Sequence, residues 1–93
     1  MATSSEVIVH NKVGLHARPA AVFVKTAASF SSEISVENLS KGNGPVNAKS
    51  ILRLLAAAVQ TNDRIKITAT GDDEKTAVDT LCQLVNTNFG EQD

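Results

Sequence analysis

The chain has no tryptophan and no tyrosine, and its only aromatic side chains are Phe23, Phe30 and Phe89. So few rings argue against a module that stacks bases on a sheet face, and a formal net charge of −1 gives none of the basic footprint of a nucleic-acid binder. One cysteine, Cys82, excludes an internal disulfide and suits a reducing compartment. With no second cysteine and no base near it in sequence, Cys82 reads as a small core residue on a helix rather than a nucleophile. No apolar run approaches the ~20 residues of a membrane span, so no membrane insertion is expected. Met1 to Ser5 lacks the basic-then-apolar pattern of a signal peptide. These absences describe a soluble, cytoplasmic protein.

What is present fits one domain, residues 1–93, and leaves no room for a second core. Apolar residues make up 42% of the chain against 20% charged, so the sequence is globular and its core is built from Ala, Val, Ile and Leu. A domain of this size buries limited area, and a large enclosed catalytic pocket is not expected.

Val7, Ile8 and Val9 form a β-branched run that reads as a strand. A loop with a glycine, Asn11 to His16, leads to Pro19, and then Ala20, Phe23, Val24 and Ala27 mark one apolar stripe of a helix over 17–28. Ile34 and Val36 alternate with Glu33, Ser35 and Glu37 as a half-buried strand. Lys41 to Pro45 reads as a turn into a short strand around Val46. Ser50 is placed to cap a second helix carrying Ile51, Leu52, Leu54, Leu55 and Ala58. Ile65, Ile67 and Ala69 alternate with polar residues as a strand, and Gly71-Asp72-Asp73-Glu74 opens a last helix with Ala77, Val78, Leu81, Leu84 and Val85 as its stripe. Asn86 to Asp93 is a polar tail in which only Phe89 is expected to pack back on the core. The order β-α-β-β-α-β-α describes a compact α+β domain with one sheet face covered by helices and the other open to water. The intact element order and polar ends lead us to expect a whole protein.

Chemistry concentrates in Gly14-Leu15-His16-Ala17-Arg18-Pro19-Ala20. A histidine stands where a loop enters a helix, where the first backbone N–H groups lack intrahelical acceptors beside the positive end of the dipole. With His16 at the N-cap, the N–H groups of Ala17 and Arg18 can hold an anion. The Arg18 guanidinium adds a permanently charged fork suited to phosphate oxygens. A neutral imidazole is a competent nucleophile near pH 7. The set suffices to accept and release a phosphoryl group, and it demands no metal and no cofactor. Local physics alone leaves the alternative that His16 is a cap or surface residue.

The heptapeptide resembles the active-site motif of HPr, the histidine-containing phosphocarrier family of the bacterial phosphoenolpyruvate-dependent sugar phosphotransferase system. Ala48-Lys49-Ser50-Ile51 and Ile67 to Glu74 agree in position, and the similarity runs from about Glu6 to Phe89. It implies an open-faced sandwich, a four-stranded antiparallel sheet with three helices on one face. It also implies a carrier rather than a free-standing enzyme: enzyme I phosphorylates His16 on Nδ1, and His16 passes the group to an enzyme IIA domain. Arg18 and the Ala17 N–H would stabilise the phosphoryl charge. A carrier that shows one face to successive partners is expected to be a monomer, with its site open to solvent.

Ser50 has two roles to consider, helix capping and, from the resemblance, regulatory phosphorylation by an ATP-dependent serine kinase with its phosphatase. Ile51, Leu52, Leu54 and Leu55 exceed what one face of a short helix can bury. Leu52 and Leu55 are expected outside, Ile51 partly exposed and Leu54 in the core, and the family docks partners on this helix. Ala21, Lys25 and Arg53 complete the expected docking set, the cations meeting acidic partners. His10 lies outside the motif and reads as a strand-end surface residue. The segment 38–47 is two or three residues longer than in common family members, and Ala56-Ala57-Ala58 stands where relatives often carry a glycine and a larger residue. Two alternatives share the motif: a paralogue serving a regulatory, nitrogen-related phosphotransfer branch, and a non-carrier regulatory binder.

Overall fold

The structure, a computed structural model, describes residues 2–90. The elements in chain order are β1 (Ala2–Ile8), α1 (Ala17–Ala28), β2 (Glu33–Asn38), β3 (Asn43–Asn47), α2 (Ile51–Ala56), β4 (Arg64–Thr70) and α3 (Glu74–Asn86), followed by a 3₁₀ turn (Asn88–Gly90). The strands form one antiparallel sheet in the order β1-β4-β2-β3, and the three helices cover one face, as the resemblance implies.

Period-two patterning sets this face. Val7 pairs with Ile65, and Ile65 in turn with Asn38; Val36 pairs with Ile67 on one side and Val46 on the other; Ile34 pairs with Ala69. These rows point under the helices, where Val36, Ile65, Ile67 and Ala69 are fully buried beside Phe23, Leu54, Leu81 and Val85. Alternate residues face outward. Lys66 there stands in register with Glu6 on one neighbour and Glu37 on the other, an arrangement of opposite charges that favours this register over a one-residue slip.

Several element bounds differ from the expectation. β1 begins at Ala2 rather than Val7, because the polar Thr3, Ser4 and Ser5 pair with Ala69, Thr68 and Ile67 of β4. Val9 lies beyond the strand yet keeps two backbone bonds, donating to Asp63 O (3.0 Å) and accepting from Asn62 N (2.7 Å). Asn43, Gly44 and Pro45 belong to β3 rather than to the turn, with a register shift between Val36 and Asn38. A proline is tolerated there because β3 is an edge strand. α2 stops at Ala56, so Ala58 is outside the helix with a left-handed φ of +55°.

α1 buries Pro19, Ala20, Phe23 and Ala27, and α3 buries Ala77, Val78, Leu81 and Val85. Val24 and Leu84, expected in these stripes, are half-buried. Asp73 stands at the N-cap position of α3 without capping it. Its carboxylate instead accepts from Ser31 N (2.9 Å), Ser32 N (3.0 Å) and the Ser32 hydroxyl, tying the start of α3 to the loop before β2. Phe89 does pack back, its ring edge-on to Phe23 at 6.5 Å. Residues 91–93 of the polar tail lie outside the described residues. No described helix is long and apolar enough to cross a membrane.

Candidate functional site

His16 is the N-cap of α1, with extended backbone (φ −73°, ψ −179°) and a carbonyl that receives Ala20 N at 2.8 Å. Its side chain makes no capping bond and is exposed. Ala17 and Arg18 are exposed on the first turn, while Pro19 turns inward and is buried. Proline at this third helical position contributes no N–H where a helix would have no acceptor for one. The first-turn N–H donors are therefore those of Ala17 and Arg18. No acidic residue lies in this turn, so the positive end of the helix dipole faces the imidazole uncompensated by a carboxylate on its own helix.

The loop that delivers His16 is braced from behind by residues 57–63. Gly14 has φ +62°, and its α-carbon lies so close to Val59 and Gln60 that a Cβ would stand 2.5 Å from Val59 O. Leu15 N donates to that same carbonyl at 3.0 Å. Thr61 Oγ1 lies 2.7 Å from Asn11 O and 2.6 Å from Lys12 O, one hydroxyl proton serving both. The brace is itself anchored. Asp63 accepts from Gln60 N (2.9 Å), Asn38 Nδ2 (3.2 Å) and the Lys41 ammonium. Burial pushes the Asp63 carboxyl up, but the hydrogen bonds from Lys41, Gln60 and Asn38 outweigh it and hold the group below the ordinary carboxylate value. Asn38, fully buried, also donates to Ala57 O at 3.0 Å, and Asn43 donates to the same carbonyl at 3.1 Å, satisfying an end group of α2. The 38–47 segment thus contributes bonds that hold the shelf under the histidine loop.

Around His16 the surface is apolar and shallow. One depression is lined by Val13, Leu15, His16, Ala17, Leu55, Ala58, Val59 and Gln60, and another by Val13 and His16 to Pro19. On α2, Leu52 is 78% exposed and Leu54 fully buried, as expected from the sequence, whereas Leu55, expected outside with Leu52, is exposed only to the same 37% as Ile51. Ala21, Lys25 and Arg53 are exposed. Val13, 53% exposed and lining both depressions, was not singled out in the sequence. Its signal was a β-branched residue in an otherwise polar loop one step before the required glycine.

Ser50 is the N-cap of α2, its Oγ accepting from Arg53 N at 3.3 Å. It opens onto a hollow with Pro45, Val46, Asn47 and Arg53. His10 is exposed after β1 and lines neither depression. Cys82, expected in the core, is half-buried at its edge, packed against the core and beside Ser5 of β1. Burial raises its thiol pKa, and the neighbouring Asp79 charge raises it further against a bond from Ser5, the opposite of an activated thiolate. Among the described residues no cluster of three or more His, Cys, Asp or Glu is placed to hold a metal ion.

Residues 3–87 match the family described as PTS HPr component phosphorylation site. Phosphocarrier protein HPr of Haemophilus influenzae is 44% identical over 82 residues, covering 88% of this chain and 91% of that protein. The multiphosphoryl transfer protein of Salmonella typhimurium is 36% identical over 88 residues, 95% of this chain, and the chain spans 23% of that relative's length. The crystal structure of HPr-C-His from Thermoanaerobacter tengcongensis superposes with a TM-score of 0.89 at 44% identity, covering 97% of this chain and 98% of that one. The chain belongs to the HPr phosphocarrier family of the phosphotransferase system.

Proposed function

We propose that this chain, a single domain over 1–93, accepts a phosphoryl group from enzyme I on Nδ1 of His16 and donates it to enzyme IIA domains. The observation that carries the reading is the state of His16: exposed, at the mouth of α1, with its side chain uncommitted to capping. The neutral imidazole nitrogen attacks phosphorus as the bond to the donor's histidine breaks, and the reverse exchange returns the protein to its starting state. The Arg18 guanidinium and the Ala17 N–H meet the charge on the phosphoryl oxygens. Because such transfer rests on alignment and charge stabilisation, a small carrier with an open site suffices, and partners supply the rest. The protein is consumed and regenerated in the exchange and is not itself a free-standing enzyme. It works as a cytoplasmic monomer that presents one face to each partner in turn.

That face consists of Ile51, Leu52 and Leu55 on α2, with Val13 and Ala21 bordering the histidine and Lys25 and Arg53 at its rim. Ser50 sits within it. Phosphorylation there by an ATP-dependent kinase would leave the phosphate on a helix N-terminus, where the fold tolerates it. It would also set negative charge among the docking residues, weakening contact with acidic partners until a phosphatase removes it.

The direct test is incubation with phosphoenolpyruvate, Mg²⁺ and a heterologous enzyme I, followed by intact-mass measurement. The expected result is an acid-labile gain of one phosphoryl group that is lost on adding an enzyme IIA domain. Absence of the gain, while a known HPr in the same tube is labelled, contradicts the proposal.

A further inference from the structure

Asn11 is a polar side chain only 1% exposed. Its Nδ2 donates to Gly14 O at 2.8 Å. The N–H of the same peptide unit, that of Leu15, donates to Val59 O at 3.0 Å. The Gly14–Leu15 peptide is therefore held at both ends, its carbonyl by Asn11 and its N–H by the shelf at Val59. Orientation of that plane fixes ψ of Gly14 and φ of Leu15. These two torsions decide how the chain passes from the left-handed glycine (φ +62°) to the extended His16 at the entrance of α1. Glycine is the residue whose adjoining peptide planes turn most freely, so the unit nearest the histidine that is most able to flip is the one that is clamped. Asn11 is fixed in turn by Gly14 N on its carbonyl (3.3 Å) and by the Thr61 hydroxyl at 2.7 Å.

Resting on the carrier reading, we propose that Asn11 is a positioning residue for the exchange at His16. Its side-chain amide locks the Gly14–Leu15 peptide and so holds the imidazole in the orientation that phosphoryl transfer requires. Asn11 touches no transferred atom; it acts through the loop. Small misplacements of reacting groups cost large rate factors, and this site has few other groups to correct one.

The test compares Asn11→Ala with the unaltered chain and with Val78→Ala, a core truncation near the start of α3, which is bonded to Thr3 at the end of β1 away from the loop. The maximal rate of phosphorylation by enzyme I should fall ~10–100-fold in Asn11→Ala, while the KM for enzyme I stays the same because the docking side chains are intact. Amide resonances of Leu15, His16 and Ala17 and the His16 imidazole signals should move, and in Val78→Ala neither rate nor these signals should change. If Asn11→Ala fails to fold, Thr61→Val, which loosens the same loop from outside the core, should lower the rate severalfold at constant KM. A normal maximal rate in whichever of these variants folds, with the unaltered chain labelled, overturns the role of Asn11 alone. Failure to label the unaltered chain overturns the carrier reading and this role with it.

Discussion

The carbonyl oxygen of Val59 both receives the Leu15 N–H at 3.0 Å and stands 2.5 Å from where a Cβ on Gly14 would lie. Glycine is needed at position 14 twice over, for its positive φ and for this approach to backbone that cannot swing aside. Gly14→Ala should cost roughly 2–4 kcal/mol, combining left-handed strain of ~1 kcal/mol with overpacking of ~1–3 kcal/mol. Urea unfolding measures the loss. A cost under ~1 kcal/mol would show that the 57–63 shelf yields and does not brace the histidine loop.

Ala58 presents the reverse case. Its φ of +55° follows the end of α2, where helices commonly place a left-handed glycine. Ala58→Gly should therefore stabilise the fold by roughly 0.5–1 kcal/mol, relief of strain exceeding the added freedom of the unfolded chain. Denaturant midpoints at unchanged m-value provide the check.

Asp73 makes the acid limb of stability predictable. The Ser32 hydroxyl, then the Ser31 and Ser32 N–H groups, hold its pKa down at about 2 from an ordinary 3.8. A carboxylate depressed in the folded state contributes stability that is fully present above 3.8 and is lost as pH falls through that value toward 2. Melting temperature should decline across that window, and Asp73→Asn should be less stable near pH 7 and decline less across it. Equal slopes for the two proteins would contradict the assignment.

On α2, Leu52 is 78% exposed and contributes little to the fold, which leaves its area for the proposed docking. Leu52→Glu should leave stability within about 0.5 kcal/mol and raise the KM for enzyme I, the new negative charge opposing acidic partners. Ser50→Ala should do the opposite, costing up to ~1 kcal/mol of cap stability while leaving phosphorylation of His16 intact. An unchanged KM in Leu52→Glu would move the docking face away from α2.

Legibility of this fold in the sequence followed the strength of each local signal. α1 was readable to the residue, because Pro19 marks its first turn and Ala20, Phe23 and Ala27 repeat on one face. β4 was equally plain from strict alternation. The first half of β1 was hidden because Thr3, Ser4 and Ser5 carry no apolar period; they are strand only because β4 offers them partners. The start of β3 was masked by Gly44 and Pro45, turn formers that an edge strand accommodates. At the site, His16, Arg18 and the exposed face of α2 were visible as residue types in a motif. The brace was not: Asn11, Thr61 and Asp63 act through bonds such as Thr61 to Asn11, spanning 50 positions, and no local pattern announces such a pairing.

In the proposed exchange His16, and no other group, takes the phosphoryl load, and site-mapped labelling of paired histidine variants checks this. The unaltered protein, His10→Ala and His16→Ala would each be charged by enzyme I and phosphoenolpyruvate, and the acid-labile adduct located in the protein. One phosphoryl group is expected on His16 in the first two and none in the third. A label that survives in His16→Ala, or one that disappears in His10→Ala, would contradict it.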